Sequence, residues 1–313
     1  MISRFSKFLV VIGLLMTSVS CKDSPFIFKE SDQGIELIEG SEPVFFYQRK
    51  PKSLTGQYIC SNYLHPVYGL NGEILTEEFP PDHPYHRGIF WTWHQLYVDT
   101  VSLGDGWINE GISQEVLNVR TEENGDEAKF FLDVVWKSST FRVGEPFLSE
   151  QTIITVHQQE KDIRKIDFEI SLQPLVDGFQ LGGSADPKGY GGLCARVKLP
   201  DDLIFTSEKG KITPRELQIE AGPWMDFSGT FMEGAEVSGL AILCHPDNPG
   251  FPQPWILRQK TSMQNVVFPG QNLYSISKDT PLVLKYQIII HKGNSEKLDF
   301  PGMQLDYTKS ESQ

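Results

Sequence analysis

The chain has 313 residues and a formal net charge of −13 at pH 7, with 28 Lys and Arg against 41 Asp and Glu. This balance argues against a nucleic-acid partner, because phosphate backbones are bound by clustered Lys and Arg. Hydrophobic residues make up 39% and charged residues 22%, which excludes a disordered chain and a membrane bundle. Twenty Phe, 27 Gly and 20 Pro favour an architecture of strands and turns.

The first segment, residues 1–20, is predicted to be an export signal. Arg4 and Lys7 precede an apolar stretch, Phe8–Met16, that is too short for a permanent membrane span. Small residues then lead into Cys21, which resembles a bacterial lipoprotein signal in which the cysteine becomes the lipid-modified first residue. We therefore expect a lipid anchor at Cys21 that holds the protein on the outer membrane, on its periplasmic or cell-surface side. An ordinary secretory signal is the alternative.

Residues 21–313 are predicted to form one all-β domain, because no linker, repeat or low-complexity tract divides them. Lys165–Leu172 and Leu284–His291 alternate apolar and polar residues with period two, as strands with one buried face do. No stretch after residue 20 has a helical period or could span a bilayer. The prediction is a large antiparallel β-sandwich. Cys60, Cys194 and Cys244 lack zinc-site spacing and are expected to be buried free thiols.

The segment Tyr63–Gln95 is the most unusual in the chain. It contains four of the seven histidines: His65, His83, His86 and His94. Four prolines lie in the same segment, so Phe79–Arg87 cannot be a regular helix or an interior strand. We expect an ordered loop that projects polar side chains, and such loops commonly carry binding and catalytic groups.

Three hypotheses compete for this loop. In the first, His83 and His86 transfer protons, since imidazole titrates near neutral pH, and Asp82 and Arg87 assist them. In the second, His83 and His86 hold a divalent metal ion with one further ligand such as His65 or His291. In the third, the polar side chains only stabilise the loop. The HxxH spacing is weak support for a metal, because side chains three residues apart converge reliably only on a helix.

The strand that follows carries paired aromatic residues. Trp91 and Trp93 are expected on one face, with Phe90, Thr92 and His94 on the other. Two tryptophans on one face are either core residues or a platform for a sugar ring, whose C–H faces pack on aromatic surfaces.

Several isolated residues are further candidates for substrate binding. They are Arg196, which either pairs with Asp186 or binds substrate, together with His65, Arg258, Trp224 and His291. His291 is expected to point away from the apolar face of its strand, either into solvent or into a ligand site. A glycosidase based on paired carboxylates is less attractive, because the adjacent Glu77 and Glu78 would point apart on an extended chain.

These motifs resemble a bacterial family often labelled "PmoA family" or DUF6807. The resemblance rests on the following elements, in chain order: Tyr63-x-His65-Pro66-x-Tyr68-Gly69, Phe79-Pro80-x-Asp82-His83-Pro84-x-His86-Arg87-Gly88, Tyr190-Gly191-Gly192-Leu193-x-x-Arg196, Trp224-Met225-Asp226-Phe227-Ser228-Gly229, Pro254-Trp255-x-x-Arg258 and Tyr286-x-x-x-x-His291-x-Gly293. It implies a secreted or lipid-anchored protein of carbohydrate-using bacteria, with a galactose-mutarotase-like super-sandwich fold. The label itself is misleading, because methane monooxygenase is a membrane-embedded copper enzyme. This chain departs from the family pattern at Gly104-Asp105-Gly106-Trp107.

The sequence thus favours a lipoprotein enzyme acting on a carbohydrate by histidine acid–base catalysis, as a lyase, hydrolase or epimerase. His83 or His86 would move the proton, while Asp82, Arg87 and Arg196 would orient the ring and stabilise developing charge. A non-catalytic glycan-binding protein with Trp91, Trp93 and Trp224 as its platform is the alternative from another class. A metal-dependent carbohydrate enzyme is the third, and no other cofactor is expected.

Overall fold

The computed structural model describes residues 24–309, which form twenty-one strands, one 3-10 turn and one helix. The strands are β1 (Phe26–Glu30), β2 (Gly34–Glu39), β3 (Glu42–Gln48), β4 (Tyr63–Val67), β5 (Ile89–Trp93), β6 (Gln95–Val98), β7 (Val101–Gly104), β8 (Ile112–Asn124), β9 (Glu127–Ser138), β10 (Pro146–His157), β11 (Ile163–Pro174), β12 (Phe179–Gly182), β13 (Gly191–Ala195), β14 (Ile204–Ser207), β15 (Gly210–Ile212), β16 (Trp224–Gly229), β17 (Ser238–Cys244), β18 (Trp255–Ile256), β19 (Gln264–Val266), β20 (Tyr274–Ser275) and β21 (Leu282–Lys292). The 3-10 turn is Ser295–Lys297 and the helix α1 is Phe300–Lys309.

The strands form three antiparallel sheets. An eight-stranded sheet has the order β1-β2-β3-β4-β5-β13-β19-β18, and a nine-stranded sheet has the order β15-β14-β16-β17-β21-β11-β10-β9-β8. A smaller sheet has the order β20-β12-β6-β7. The all-β prediction is confirmed. The long strands β9, β10 and β11 form sequence-adjacent antiparallel hairpins, and β21 pairs with β11 although it is distant in the chain. The mutarotase-like super-sandwich stays a prediction.

The two large sheets face each other across one hydrophobic core. Trp91 of β5 approaches Phe168 of β11 with ring centroids 6.2 Å apart, and Trp93 approaches Trp136 of β9 at 6.1 Å. The alternation predicted for Lys165–Leu172 is confirmed, because Ile166, Phe168, Ile170 and Leu172 are all buried in this core. Burial of such apolar surface contributes about 25 cal/mol per Å², which makes this core the main source of stability.

A carboxyl group lies inside this core. Glu150 of β10 is fully buried and accepts hydrogen bonds from the side chains of Asn62, Trp91, Trp136 and Thr152, all at 2.8–2.9 Å. Burial raises the pKa of Glu150, and these donors oppose that shift. Because Trp91 belongs to one large sheet and Glu150 to the other, this network joins the two sheets.

A second, smaller apolar cluster lies on the opposite face of the eight-stranded sheet. Phe90 of β5 and Cys194 of β13 are register partners, and they pack there with Tyr63, Trp107 and Met263. Successive side chains of a strand point to opposite faces, so β5 places its tryptophans in the main core and Phe90 in this outer cluster. The predicted alternation of Phe90–His94 is therefore confirmed. The candidate site described below lies above the outer cluster.

The helix α1 contradicts the expectation that no helix follows residue 20. Pro301 stands near its start, where a missing N–H costs nothing, and its length of ten residues leaves little periodic signal. Phe300 stacks on Trp224 with ring centroids 5.0 Å apart, and Tyr307 packs in the same cluster. The helix therefore owes its stability to tertiary packing on the outer face of β21.

The predictions for the cysteines and for membrane spans are tested by the described residues. Cys60, Cys194 and Cys244 are buried free thiols, as predicted. Within residues 24–309 no helix has the length and apolar character needed to cross a bilayer. The export signal and Cys21 lie outside the described residues.

Candidate functional site

The histidine loop is an ordered double turn, as expected for Phe79–Arg87. His83 N–H donates to the carbonyl of Pro80 at 3.1 Å, and His86 N–H donates to the carbonyl of His83 at 2.9 Å. An isolated antiparallel β-bridge between the backbones of Glu78 and Arg87 closes the loop at its base. The two turns share His83, and this places the imidazole rings of His83 and His86 parallel with centroids 4.6 Å apart. Consecutive turns thus bring an HxxH pair together without a helix.

The carboxylate of Asp82 orients the imidazole of His83. Nδ1 of His83 lies 2.8 Å from Oδ2 of Asp82. Hydrogen bonds to Ser262, His83 and Arg196 hold the pKa of Asp82 well below its usual range, against the opposing effect of burial, which is the largest single influence. An ionised Asp82 accepts a hydrogen bond from Nδ1–H of His83, and the tautomer that carries Nδ1–H has its lone pair on Nε2.

Buried Arg196 holds Asp82 in place. Its guanidinium donates to both carboxylate oxygens of Asp82 at 2.9 and 3.0 Å, and to Glu77 at 2.9 Å. It also donates to the carbonyl of Ser262, whose own N–H donates to Asp82 at 2.7 Å. The alternative pairing of Arg196 with Asp186 is wrong, because Asp186 instead accepts from Ser184 and from nearby backbone N–H groups.

The loop that carries Ser262 is strained. Thr261 and Ser262 have φ values of 53° and 64°, in the left-handed region that costs a residue other than glycine of the order of 1–3 kcal/mol. The bonds from Asp82 and Arg196 to Ser262 hold this conformation. Strain that the surroundings impose in this way often accompanies a functional site.

His86 is buried beneath His83. Burial lowers its pKa to about 2, and the neighbouring His83 and Arg196 add to the effect. His86 is therefore neutral at physiological pH, and its buried Nδ1 has no hydrogen-bond partner among the described residues. The site thus contains two stacked histidines. His83 is oriented by the carboxylate of Asp82, and His86 is neutral.

The burial of His86 predicts a loss of stability in acid. A folded-state pKa below the ordinary value of 6.5 means that His86 contributes stability above pH 6.5, and this contribution is lost as the pH falls toward 2. We expect urea unfolding between pH 7.5 and 4 to show a steeper acid decline for the wild type than for His86→Phe. Parallel declines for the two proteins would contradict this account.

The two histidines line a cavity of about 290 Å³. Its other lining residues are Tyr85, His94, Trp107, Lys188, Tyr190, Arg258, Thr261 and Ser262. Most of these residues belong to connections at the β5-β13-β19-β18 end of the eight-stranded sheet, and Trp107 lies in the connection from β7 to β8, so strands of the sheets support the walls.

A second histidine–carboxylate pair forms another wall of the cavity. Nδ1 of His94 lies 2.8 Å from Oδ2 of Asp105, and the His94 ring stacks on Trp107 with centroids 4.9 Å apart. Oδ1 of Asp105 accepts from the backbone N–H of Trp107 at 2.8 Å, which fixes the turn that presents this ring. The stretch in which the sequence departs from the family pattern, Gly104–Trp107, therefore supplies a wall of the cavity.

The cationic side of the cavity is formed by Arg258 and Lys188. The guanidinium of Arg258 lies 5.5 Å from the ring centroid of Tyr190, and it donates to backbone carbonyls. Lys188 pairs with the exposed carboxylate of Glu216 at 3.5 Å. Rings, cationic donors and imidazoles thus converge on one cavity.

Several residues predicted for the site lie elsewhere. Arg87 is fully buried behind the loop, where it donates to the carbonyl of Tyr85 and lies 4.5 Å from the ring centroid of Phe90. His65 bonds to Thr76 at 3.0 Å, and burial lowers its pKa to about 4. Neither residue lines the cavity.

The aromatic platform predicted at Trp91, Trp93 and Trp224 is wrong, because all three rings are buried. Trp91 and Trp93 lie in the main core, and Trp224 is covered by Phe300. The partly exposed aromatic rings of the cavity are those of Tyr85 and Tyr190, and the ring that packs beside the histidines, Trp107, is itself buried and was not among the predicted site residues. The local signal was the Asp105-Gly106-Trp107 turn directly after a strand.

His291 is also remote from the cavity. It is fully buried under α1, where its Nε2 lies 2.8 Å from Oδ1 of Asp226 and its ring centroid lies 5.8 Å from that of Phe300. The expected solvent exposure is wrong, because the helix that covers this face was not foreseen.

Among the described residues, the histidine loop has no third side chain placed to complete a metal site with His83 and His86. Within residues 24–309 no three His, Cys, Asp or Glu side chains are grouped so that they could hold one ion. Asp82 and Asp105 are already hydrogen-bonded to His83 and His94.

Comparison with known proteins supplies the family. No curated protein is significantly similar to the chain. The model of the family described as "Family of unknown function (DUF6807)" matches residues 35–301, which include nearly the whole of both large sheets and every wall of the cavity. The chain therefore belongs to the DUF6807 family.

Proposed function

We propose that this protein is an enzyme that acts on a carbohydrate by histidine acid–base catalysis in the cavity of His83. The observation that carries the proposal is the Asp82–His83 pair. Its carboxylate is fixed by Arg196 and by the N–H of Ser262, and its imidazole lines a cavity beside aromatic rings. An imidazole with a fixed tautomer is suited to take a proton from a substrate and return it.

The walls of the cavity suit a sugar ring. Tyr190, which is partly exposed, offers an aromatic face for the C–H side of a ring, and buried Trp107 packs against it with ring centroids 5.4 Å apart. Lys188, Arg258 and the hydroxyl of Tyr85 offer donors for its hydroxyl or carboxylate groups. Small-molecule sites commonly combine apolar walls with a few converging polar groups in this way.

The proposed sequence of events needs no group beyond the side chains of this cavity. Nε2 of His83 accepts a proton from a hydroxyl or C–H of the sugar, and Asp82 stabilises the resulting imidazolium through Nδ1. When the proton comes from a carbon, its electron pair forms a C=C bond as the neighbouring C–O bond breaks, and His83 returns the proton to that leaving oxygen. When it comes from the anomeric hydroxyl, a C=O bond forms as the ring C–O bond breaks, and His83 returns the proton to the ring oxygen. Neutral His86, stacked on His83, adds no second positive charge next to the imidazolium.

Secretion as a lipoprotein anchored at Cys21 to the outer membrane is part of this proposal. It rests on residues 1–20, which resemble a lipoprotein signal. A surface or periplasmic location would give such an enzyme direct access to glycans.

The experiment uses residues 22–313, which lack the lipid, on a panel of oligosaccharides assayed for both affinity and product. The panel contains xylo-, manno- and cello-oligosaccharides and oligogalacturonides. We expect at least one glycan to be bound and converted. Tight binding with no product from any glycan would support the glycan-binding alternative, and metal content measured on the same preparation tests the metal-dependent one.

A further inference from the structure

A wider cleft adjoins the histidine cavity. It encloses about 770 Å³ and is formed by residues 215–218, Pro187 and residues 269–272. None of the residues proposed for proton transfer lines it. Its position next to the histidine cavity decides what it can bind.

The cleft and the cavity share one wall. Nη1 and Nη2 of Arg258, which lines the cavity, donate to the carbonyls of Arg215 and Glu216 in the cleft at 2.9 and 3.0 Å. Lys188, another cavity residue, forms an ion pair with Glu216. The side-chain amide of Gln218 in the cleft donates to the carbonyl of Lys188 at 2.9 Å. The two spaces are therefore separated by a wall about one side chain thick.

The lining of the cleft suits neutral hydroxyl groups. Gln271 and Asn272 expose carboxamides, which can donate and accept hydrogen bonds at the same time, as a sugar hydroxyl does. Pro187, Leu217 and Pro269 provide apolar surface between these polar groups. The described part of the cleft contains no histidine and no carboxylate other than Glu216, and its cationic side chain, Arg215, donates to the carbonyl of Gln218, so the chemistry of the cleft is that of binding.

We propose that the cleft is a second sugar-binding subsite, and that the substrate is an oligosaccharide of at least two units that crosses the wall of Lys188 and Arg258. The reacting unit lies in the histidine cavity, and the neighbouring unit lies in the cleft against Gln271 and Asn272. This inference rests on the proposed function, because the reacting unit is assigned to His83.

The test is a chain-length series. Affinities for oligosaccharides of one to six units, from each of the four glycan types named above, are measured by calorimetry for the wild type and for a Gln271→Ala/Asn272→Ala variant. We expect wild-type affinity to rise at least about tenfold between one unit and three, and the variant to lose about that gain, since two neutral hydrogen bonds contribute on this scale. Affinity for the single unit is expected to be unchanged in the variant.

The matched control is Asn124→Ala/Gln151→Ala, which removes two exposed carboxamides from the nine-stranded sheet. This control is expected to keep the full gain with chain length. Equal wild-type affinity at every length, with turnover that still depends on His83, would overturn the second subsite and leave the proposed function standing. Failure of the wild type to bind or convert any member of the series would overturn the proposed function, and the subsite with it.

Discussion

Replacing His83 by alanine is expected to lower turnover by about 10²–10⁴-fold while the affinity for the glycan changes by less than about threefold, because a general base acts mainly in the transition state. The structure gives the reason for this separation. His83 is one of several lining residues, and Tyr190, Lys188 and Arg258 remain to bind the sugar. The measurement is kcat and KM on the best glycan of the panel.

The control for this prediction is His157→Ala. His157 also forms a histidine–carboxylate pair, with Nε2 2.6 Å from Asp167, but it lies on β10 of the nine-stranded sheet, apart from the cavity. This variant is expected to leave kcat within about twofold of wild type, since it removes no group of the site. A His83→Ala protein that retains full turnover would remove the catalytic role of the pair.

Replacing Glu150 by alanine is expected to lower the free energy of unfolding by about 3–5 kcal/mol, which is a large part of the stability of an ordinary domain. The substitution removes the acceptor of four buried donors, and each unsatisfied buried donor costs about 1–3 kcal/mol before relaxation. It also opens a cavity between the two large sheets. Urea unfolding at neutral pH measures the change.

Glu169→Ala is the matched control for Glu150→Ala. Glu169 lies on the adjacent strand β11, and 45% of its side chain is exposed opposite Lys285. Its removal is expected to change stability by less than about 1 kcal/mol, because exposed ion pairs contribute little. Equal effects of the two substitutions would show that the Glu150 network does not join the sheets.

Alternation along β5 was predictable from the sequence, but the face that serves the site was not. Period two correctly separates Trp91 and Trp93 from Phe90 and Thr92. Which face becomes the core depends on the partner sheet, and Trp91 meets Phe168 of that sheet from 77 residues away in the chain (168 − 91 = 77). Pairing at that distance leaves no local trace.

The histidine loop was the part of the site that the sequence located best. Its prolines and histidines predicted an ordered polar loop, and the structure confirms that loop. The contact between His83 and His86 was not predicted, because an HxxH pair was expected to converge reliably only on a helix. The partner of Arg196 was missed, because Asp82 is 114 residues away, whereas Asp186 is close in sequence. Trp107 and Asp105 were missed because a short turn carries them, with no periodic pattern to mark it.

The helix α1 shows how a missed element changes a functional interpretation. Because Phe300–Lys309 covers β21, both Trp224 and His291 become core residues instead of site residues. Sequence propensity gave little indication of this helix, since Gly302 has a low helix propensity and Pro301 is compatible only with the first turn. Its packing partners lie on strands that are distant in the chain.

The glycan panel, run with wild type and His83→Ala in parallel, tests the central claim most directly. The proposed mechanism predicts that both proteins bind the same glycan and that only the wild type releases a product at an appreciable rate. Binding by both proteins with product from both, or with product from neither, would contradict the assignment of His83 as the group that transfers the proton.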